Sequence, residues 1–366
     1  MTAIIPITYL LLISYFIKIY SFRIAFINAF LVLSIQILFI TEFLSLFNYL
    51  NTTSVFILHS LFAFVYLLFS KRINIPKVDL KFMGLTDKIM LSVIFFISFI
   101  TFFIAIYSPP NNWDSMTYHM ARIPHWIQNS GVDFFITNNY RQNLYSPFSE
   151  FMILNLQVLS QSDQFANLVQ WFSLMISMLV ISVICNEFGL NKKMQLLSAF
   201  FIITLPTSIL EASTTQNDIV LSAFILIFYF YQLRIIDSPS KSNLIFSGFS
   251  LGLGILTKGS SYIFFFPVGF TCFIYMMLKS ETKTKLIIFG RSLMIVSIGF
   301  LLNIPHYVRS YTRYNDFLGM DLNHGVVNEV FSFFTIYSNF FRHIAYQLGS
   351  NFQIINWYIY RFVQIL

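Results

Sequence analysis

The sequence predicts an all-α protein, a polytopic bundle of transmembrane helices. Hydrophobic residues make up 57% of the 366 residues, charged residues only 10%, and the mean hydropathy is +0.72. This composition is typical of a polytopic membrane protein and excludes an ordinary soluble enzyme. Runs without charge recur at lengths near the roughly 20 residues that a helix needs to cross about 30 Å of hydrocarbon. Because these runs lack the alternation of a lipid-facing barrel, they predict helices rather than strands.

Ten charge-free runs mark the predicted helices. They lie near residues 1–17, 24–41, 53–70, 89–107, 164–186, 194–210, 219–233, 242–257, 260–278 and 292–308. The last segment, 331–366, is moderately apolar but is broken by Arg342, His343 and Arg361. It is either one more weakly marked helix near the outer face or the end of a truncated chain. The prediction is therefore a bundle of about 10–11 spans.

The basic residues orient the bundle. If Asp114 lies outside, the inner loops hold 15 of the 22 Lys and Arg residues, namely Lys18, Arg23, Lys71, Arg72, Lys77, Lys81, Lys88, Lys192, Lys193, Arg234, Lys241, Lys279, Lys283, Lys285 and Arg291. The positive-inside rule then places the 108–163 loop on the extracytoplasmic face. Basic inner loops that face anionic lipid also explain the net charge of +7, so no nucleic-acid partner is predicted.

The first outer loop opens with Asp114, the leading candidate for chemistry, because ionisable residues at a membrane face usually mark a functional site. From there Tyr118, Arg122 and His125 follow at i+4, i+8 and i+11, a spacing that predicts one face of an interfacial helix and substrate-binding side chains. The alternative is structural: Asn112 or Asp114 serves only as the N-cap of that helix.

Further along this loop, two charged residues have open roles. Arg141 lies in a turn-forming stretch and is a candidate ligand for a donor phosphate, since guanidinium binds phosphate oxygens bidentately; the alternative is contact with lipid headgroups. Glu150 follows Pro147, where helix resumes. It is predicted either to pair with Asp114 at a metal or substrate, or to be a solvated carboxylate at a helix start.

Later outer turns add further charges. Asp218 lies at the mouth of a span and is a second candidate catalytic carboxylate. Lys258 lies between two apolar runs and is either a phosphate ligand or an ordinary snorkelling lysine. Arg309 and Arg313, at i and i+4 after Pro305, are predicted to form a phosphate seat. The same stretch includes His306, a candidate substrate ligand.

Three segments carry a family resemblance. They are Ile106-Tyr107-Ser108-Pro109-Pro110-Asn111-Asn112-Trp113-Asp114, the glycine-rich stretch from Gly248 to Gly259 that ends in Leu-Thr-Lys-Gly, and Pro305 to Gly319. In their order and sidedness they resemble integral-membrane glycosyltransferases of the GT-C class, the group that contains protein O-mannosyltransferases and lipid A aminoarabinose transferase. The resemblance implies a polyprenyl-phosphate sugar donor and inverting transfer at the extracytoplasmic face. It also implies that Asp114 acts as base or as a ligand of a divalent metal ion, and that Asp218 matches the second acidic position.

The resulting prediction is a GT-C-like glycosyltransferase of the cell envelope, placed in a bacterial inner membrane. Residues 1–87 are assigned to additional N-terminal helices, 88–330 to the catalytic core and 331–366 to a C-terminal apolar segment. The acceptor is a glycan, lipid or protein. The alternative is a transporter or flippase of a lipid-linked or anionic solute, which would need its charges near the bilayer midplane on broken helices.

Overall fold

The computed structural model describes residues 1–70, 84–318, 330, 332–350 and 352–365. Helix accounts for 79% of the chain and the described residues include no strand, so the predicted all-α bundle is confirmed. The predicted inner loop around residues 71–83, with four of its basic residues, lies outside the described residues, as do 319–329.

The described residues form sixteen α-helices. In chain order these are α1 (Ile4–Phe16), α2 (Phe22–Leu46), α3 (Thr52–Phe69), α4 (Leu85–Tyr107), α5 (Arg122–Asn129), α6 (Arg141–Leu144), α7 (Phe148–Ser160), α8 (Leu168–Glu187), α9 (Lys192–Thr204), α10 (Pro206–Glu211), α11 (Asp218–Asp237), α12 (Lys241–Thr257), α13 (Ser261–Lys279), α14 (Thr282–Tyr314), α15 (Phe333–Gln347) and α16 (Gln353–Ile365). A π-helical turn, Ser115–His119, precedes α5.

Each of the ten apolar runs forms helix. Seven helices of the described chain are long and apolar enough to cross a membrane: α2, α3, α4, α8, α11, α13 and α14. The other three runs form the shorter α1, the 17-residue α12, and a pair in which Pro206 interrupts the helix between α9 and α10. Pro206 causes this break because the residue before a proline is driven to extended backbone, here Leu205 with ψ 130°.

Three contacts place the 108–147 loop at the same end of the bundle as the α10–α11 and α12–α13 turns: Asn167 Nδ2 donates to Ser108 O, Ile219 N donates to Gln170 Oε1, and Lys258 pairs with Asp218. We call this end the loop face. Buried residues of α2 and α7, with α8, α11 and α12, form one apolar core, which the N-terminal helices therefore share with the rest of the chain. The loop is tied to α2, because Ser45 Oγ accepts a hydrogen bond from Val132 N at 2.8 Å.

Glycines bring α12 and α14 close together. A Cβ added at Gly248 would lie 2.7 Å from Ile298 Cβ, and one added at Gly252 would lie 2.7 Å from Leu302 Cδ1. Small residues at such positions let two helix backbones approach within a membrane. Asn303 Nδ2 then donates to Gly252 O at 3.0 Å. This contact fixes the last turns of α14, including His306 and Arg309, beneath the loop.

A candidate active site on the loop face

Asp114 is half-buried at the start of the π-helical turn, and its side chain makes no capping hydrogen bond. The capping role belongs to Asn112, whose Oδ1 accepts from Ser115 N at 2.7 Å. Of the two N-cap candidates in the sequence, the structure therefore uses Asn112. The Asp114 carboxylate is left available for other chemistry.

Tyr118 is the polar neighbour of Asp114. Burial first, and then the negative charge of Asp114 and a hydrogen bond to it, raise the pKa of the Tyr118 hydroxyl above its ordinary value of 10, so the phenol stays protonated. The Tyr118 ring lies 5.2 Å from the Tyr145 ring in an edge-to-face contact. A hydrogen bond to Tyr140 and the proximity of Tyr145 and Tyr118 raise the pKa of Arg141, which keeps its charge beside this group. Asp114, Tyr118 and Arg141 thus share one region of the loop, which we call the Asp114 cluster.

Behind this cluster lies a buried ion pair. Arg122 Nη2 contacts Glu150 Oε2 at 2.6 Å, and both side chains are fully buried. Glu150 also accepts from His119 Nδ1, and Arg122 Nη1 donates to Tyr145 O at 2.7 Å. Burial alone would raise the pKa of Glu150, but Arg122 and His119 outweigh it and lower the pKa to about 2. The group is a permanent ion pair that joins the π-helical turn to α7.

This geometry changes the predicted roles of the loop residues. The one-face helix from Asp114 to His125 is wrong, because the π-helical turn rotates the positions: Arg122 is buried, whereas His125 is exposed and stacks 4.2 Å from the Phe135 ring. Arg122 and Glu150 are occupied by each other and do not point to a substrate. Their observed contacts position the loop, and Glu150 is buried against Arg122 rather than solvated.

A second group of charges lies at the mouths of α11 and α13. Lys258 Nζ contacts Asp218 Oδ1 at 2.6 Å, with 35% and 47% of the two side chains exposed, so both remain accessible. Glu211, at the end of α10, lies beside them. Burial first, and then the negative charge of Asp218, raise the pKa of Glu211 to about 7, while Lys258 partly opposes this. We call Glu211, Asp218 and Lys258 the acid–lysine cluster.

The predicted phosphate seat on α14 is divided. Arg309 forms a bidentate ion pair with Glu42 of α2, with both N–O distances 2.7 Å. Only 13% of the Arg309 side chain and 14% of the Glu42 side chain are exposed. Arg313 is exposed one turn later, so the two arginines do not form a common seat in this structure. His306 is buried with its ring 6.0 Å from that of Phe134, and its Nδ1 has no hydrogen-bond partner among the described residues.

The described residues do not form a metal site by themselves. Within the described ranges no group of three or more His, Cys, Asp and Glu side chains converges. Asp114 is one carboxylate, and Glu150, the nearest predicted partner, is held by Arg122. Because Mg²⁺ is commonly bound by one or two carboxylates with substrate phosphates, metal dependence stays a prediction.

The comparisons with known proteins agree with this architecture. Residues 146–308, just under half of the chain, match the family model of dolichyl-phosphate-mannose-protein mannosyltransferase. No curated protein and no solved structure matches the chain. The helical membrane fold and this match over part of the chain support an integral-membrane glycosyltransferase of the GT-C class. More particularly, the match supports a mannosyltransferase-type enzyme. It includes the acid–lysine cluster and His306, and it begins after Asp114 and Arg141.

Three residues gain importance only in the structure. Glu42 lies within the apolar α2, directly after the charge-free run 24–41, but its partner Arg309 lies 267 positions away. Glu211 directly follows the apolar run 194–210, and its raised pKa depends on burial that the sequence does not show. Asn112 was recognised as a possible cap, and only the backbone shows that it takes this role from Asp114.

Proposed function

We propose that this protein transfers a sugar from a polyprenyl-phosphate donor to an acceptor at the extracytoplasmic face, with Asp114 as the base. The observation that carries the proposal is the Asp114 carboxylate itself. It is accessible at the loop face, a neighbouring asparagine performs the helix cap, and a protonated tyrosine fixes one side of it. Because Asn112 accepts the capping hydrogen bond, the Asp114 carboxylate is not needed to cap the turn.

The proposed step is an inverting displacement. The acceptor oxygen or nitrogen forms a bond to the anomeric carbon of the sugar while its proton passes to Asp114. The bond from that carbon to the phosphate oxygen breaks, and the electron pair leaves with the polyprenyl phosphate. Arg141 and Lys258 are the accessible cations best able to stabilise the charge on the leaving phosphate. Arg309 would contribute only after separation from Glu42.

Donor turnover is the direct test of this function. Purified full-length protein should release polyprenyl phosphate from polyprenyl-phosphate mannose when an acceptor extract is supplied. A transporter would move the intact donor between the leaflets of a vesicle without cleaving it. Movement of intact donor with no release of polyprenyl phosphate, across a panel of sugars, would favour the transporter alternative.

Sidedness is tested separately. Single cysteines at Asn138 and Ser238, both exposed, can be introduced into a Cys185→Ala, Cys272→Ala background. An impermeant maleimide should label intact cells only at position 138, because the Lys and Arg bias puts the α11–α12 turn inside. Labelling of position 238 before lysis would invert the topology and remove the argument for a lipid-linked donor.

A further inference from the structure

A groove lies between the interrupted helix and the C-terminal helices. It encloses about 800 Å³ between α9–α10 on one side and α15–α16 on the other. Thr207 Oγ1 donates to Gln347 Oε1 at 2.6 Å, which joins the two walls. The helix interruption at Leu205 and Pro206 makes this groove possible, because a continuous helix would carry α10 along the axis of α9.

The lining of the groove suits an amphiphile with one negative charge. Leu210, Ile359 and Val363 are among its apolar residues, and Arg342 is the one charged residue that lines it in the described chain. Arg342 is exposed and makes no ion pair with any described residue. Ligand sites of 300–1,000 Å³ are commonly apolar with a few polar groups that fix orientation.

The groove also adjoins the charged residues of the candidate site. Leu210 lines it, and the next residue, Glu211, belongs to the acid–lysine cluster. A lipid lying in the groove would therefore bring its polar end to the loop face beside Asp218 and Lys258. A lipid-linked substrate must place its polar end near the charged residues of the site in order to react. An ordinary bilayer phospholipid does not have this requirement.

We propose that this groove holds the prenyl chain and the phosphate of the donor, with Arg342 as a phosphate ligand. This inference rests on the proposed function and adds the location of the donor lipid to it. The isoprenoid chain of the donor lies against the apolar walls of the groove, where the favourable free energy of burial grows in proportion to the apolar area buried. The Arg342 guanidinium binds the phosphate oxygens.

The test is a binding measurement on the purified full-length chain in lipid nanodiscs, with fluorescently labelled undecaprenyl phosphate as the probe. Arg342→Met should weaken binding roughly tenfold to a hundredfold, the usual effect of removing a charged hydrogen-bond partner. Arg361→Met is the matched control, because Arg361 is an exposed arginine of α16 that packs on Trp357 outside the groove. Equal affinities of the two variants would overturn the proposal.

A second pair of variants tests the chain-binding part without altering charge. Leu210→Trp should narrow the groove and weaken binding of undecaprenyl phosphate more than that of the short geranyl phosphate. Leu197→Trp, on the exposed side of α9 and outside the groove, should leave both unchanged. Loss of affinity for both lipids to the same degree would contradict a chain site.

Competition identifies the ligand source. Unlabelled undecaprenyl phosphate should displace the probe, whereas phosphatidylglycerol and inorganic phosphate should not. Displacement by phosphatidylglycerol with equal potency would show a general anionic-lipid site and overturn the proposal. Since binding requires no transfer, a protein that binds the probe through Arg342 but releases no polyprenyl phosphate would refute the proposed function alone.

Discussion

Glu150→Gln should destabilise the protein strongly, because it leaves Arg122 as an unpaired charge in a fully buried position. The pKa of Glu150 falls from an ordinary 4.5 to about 2. At about 1.36 kcal/mol per pKa unit, this corresponds to about 3 kcal/mol of folding free energy. Removing one partner of a buried ion pair costs a similar roughly 3–5 kcal/mol. We therefore expect a melting temperature several degrees below that of the wild type at pH 7.

The pH dependence gives this prediction a specific sign. Glu150 binds its proton more weakly when folded, so its contribution is complete above pH 4.5 and is lost as the pH falls from 4.5 towards 2. Melting curves in detergent should show a steeper loss of stability in that window for the wild type than for Glu150→Gln. Asp133→Asn, which alters an exposed carboxylate of the same loop, is the control. A Glu150→Gln melting temperature equal to that of Asp133→Asn at pH 7 would refute the reasoning.

Two further predictions concern the other ion pairs. Lys258→Met should raise the donor KM roughly tenfold or more through loss of a phosphate partner. Lys193→Met, which alters an exposed lysine at the start of α9, should leave the donor KM unchanged. Because the Lys258 charge lowers the pKa of Glu211, Lys258→Met should also raise the pKa of the Glu211 carboxyl in a direct titration of that group; a downward movement would contradict the assigned neighbours. Arg309→Met should lower the melting temperature by leaving Glu42 unpaired, and the double variant with Glu42→Gln should recover part of that loss. A double variant less stable than both single variants would argue against the pair.

The helical architecture could be predicted from sequence because charge-free runs near the length of a span leave few alternatives in a bilayer. The interruption of the helix at Pro206 was harder to predict, since residues 194–210 form one apolar run and hydropathy does not report where a helix is broken. Residues 331–366 were expected to be either one weakly marked helix or the end of a truncated chain, and the described part of this segment forms two helices, α15 and α16. Residues of these two helices line one side of the groove, and residues of α10 line the other side.

The sequence indicated which residues belong to the site, but it gave less information about which residues they contact. Sequence spacing selected Asp114, Asp218 and Lys258, and the last two do meet in the structure. It could not show that Arg309 turns towards Glu42, because that contact joins α14 to α2. Nor could a helical spacing rule anticipate the π-helical turn, which adds one residue to the turn and separates positions expected on one face.

Sugar transfer by Asp114→Asn tests the central claim most directly. Asparagine keeps the size of the side chain and removes its ability to accept the proton, and Asn112 continues to cap the turn. Release of polyprenyl phosphate should fall to background in Asp114→Asn, while Asp133→Asn retains wild-type activity and both variants insert and melt as the wild type does. Near-wild-type transfer by a correctly folded Asp114→Asn protein would contradict the assignment of Asp114 as the base.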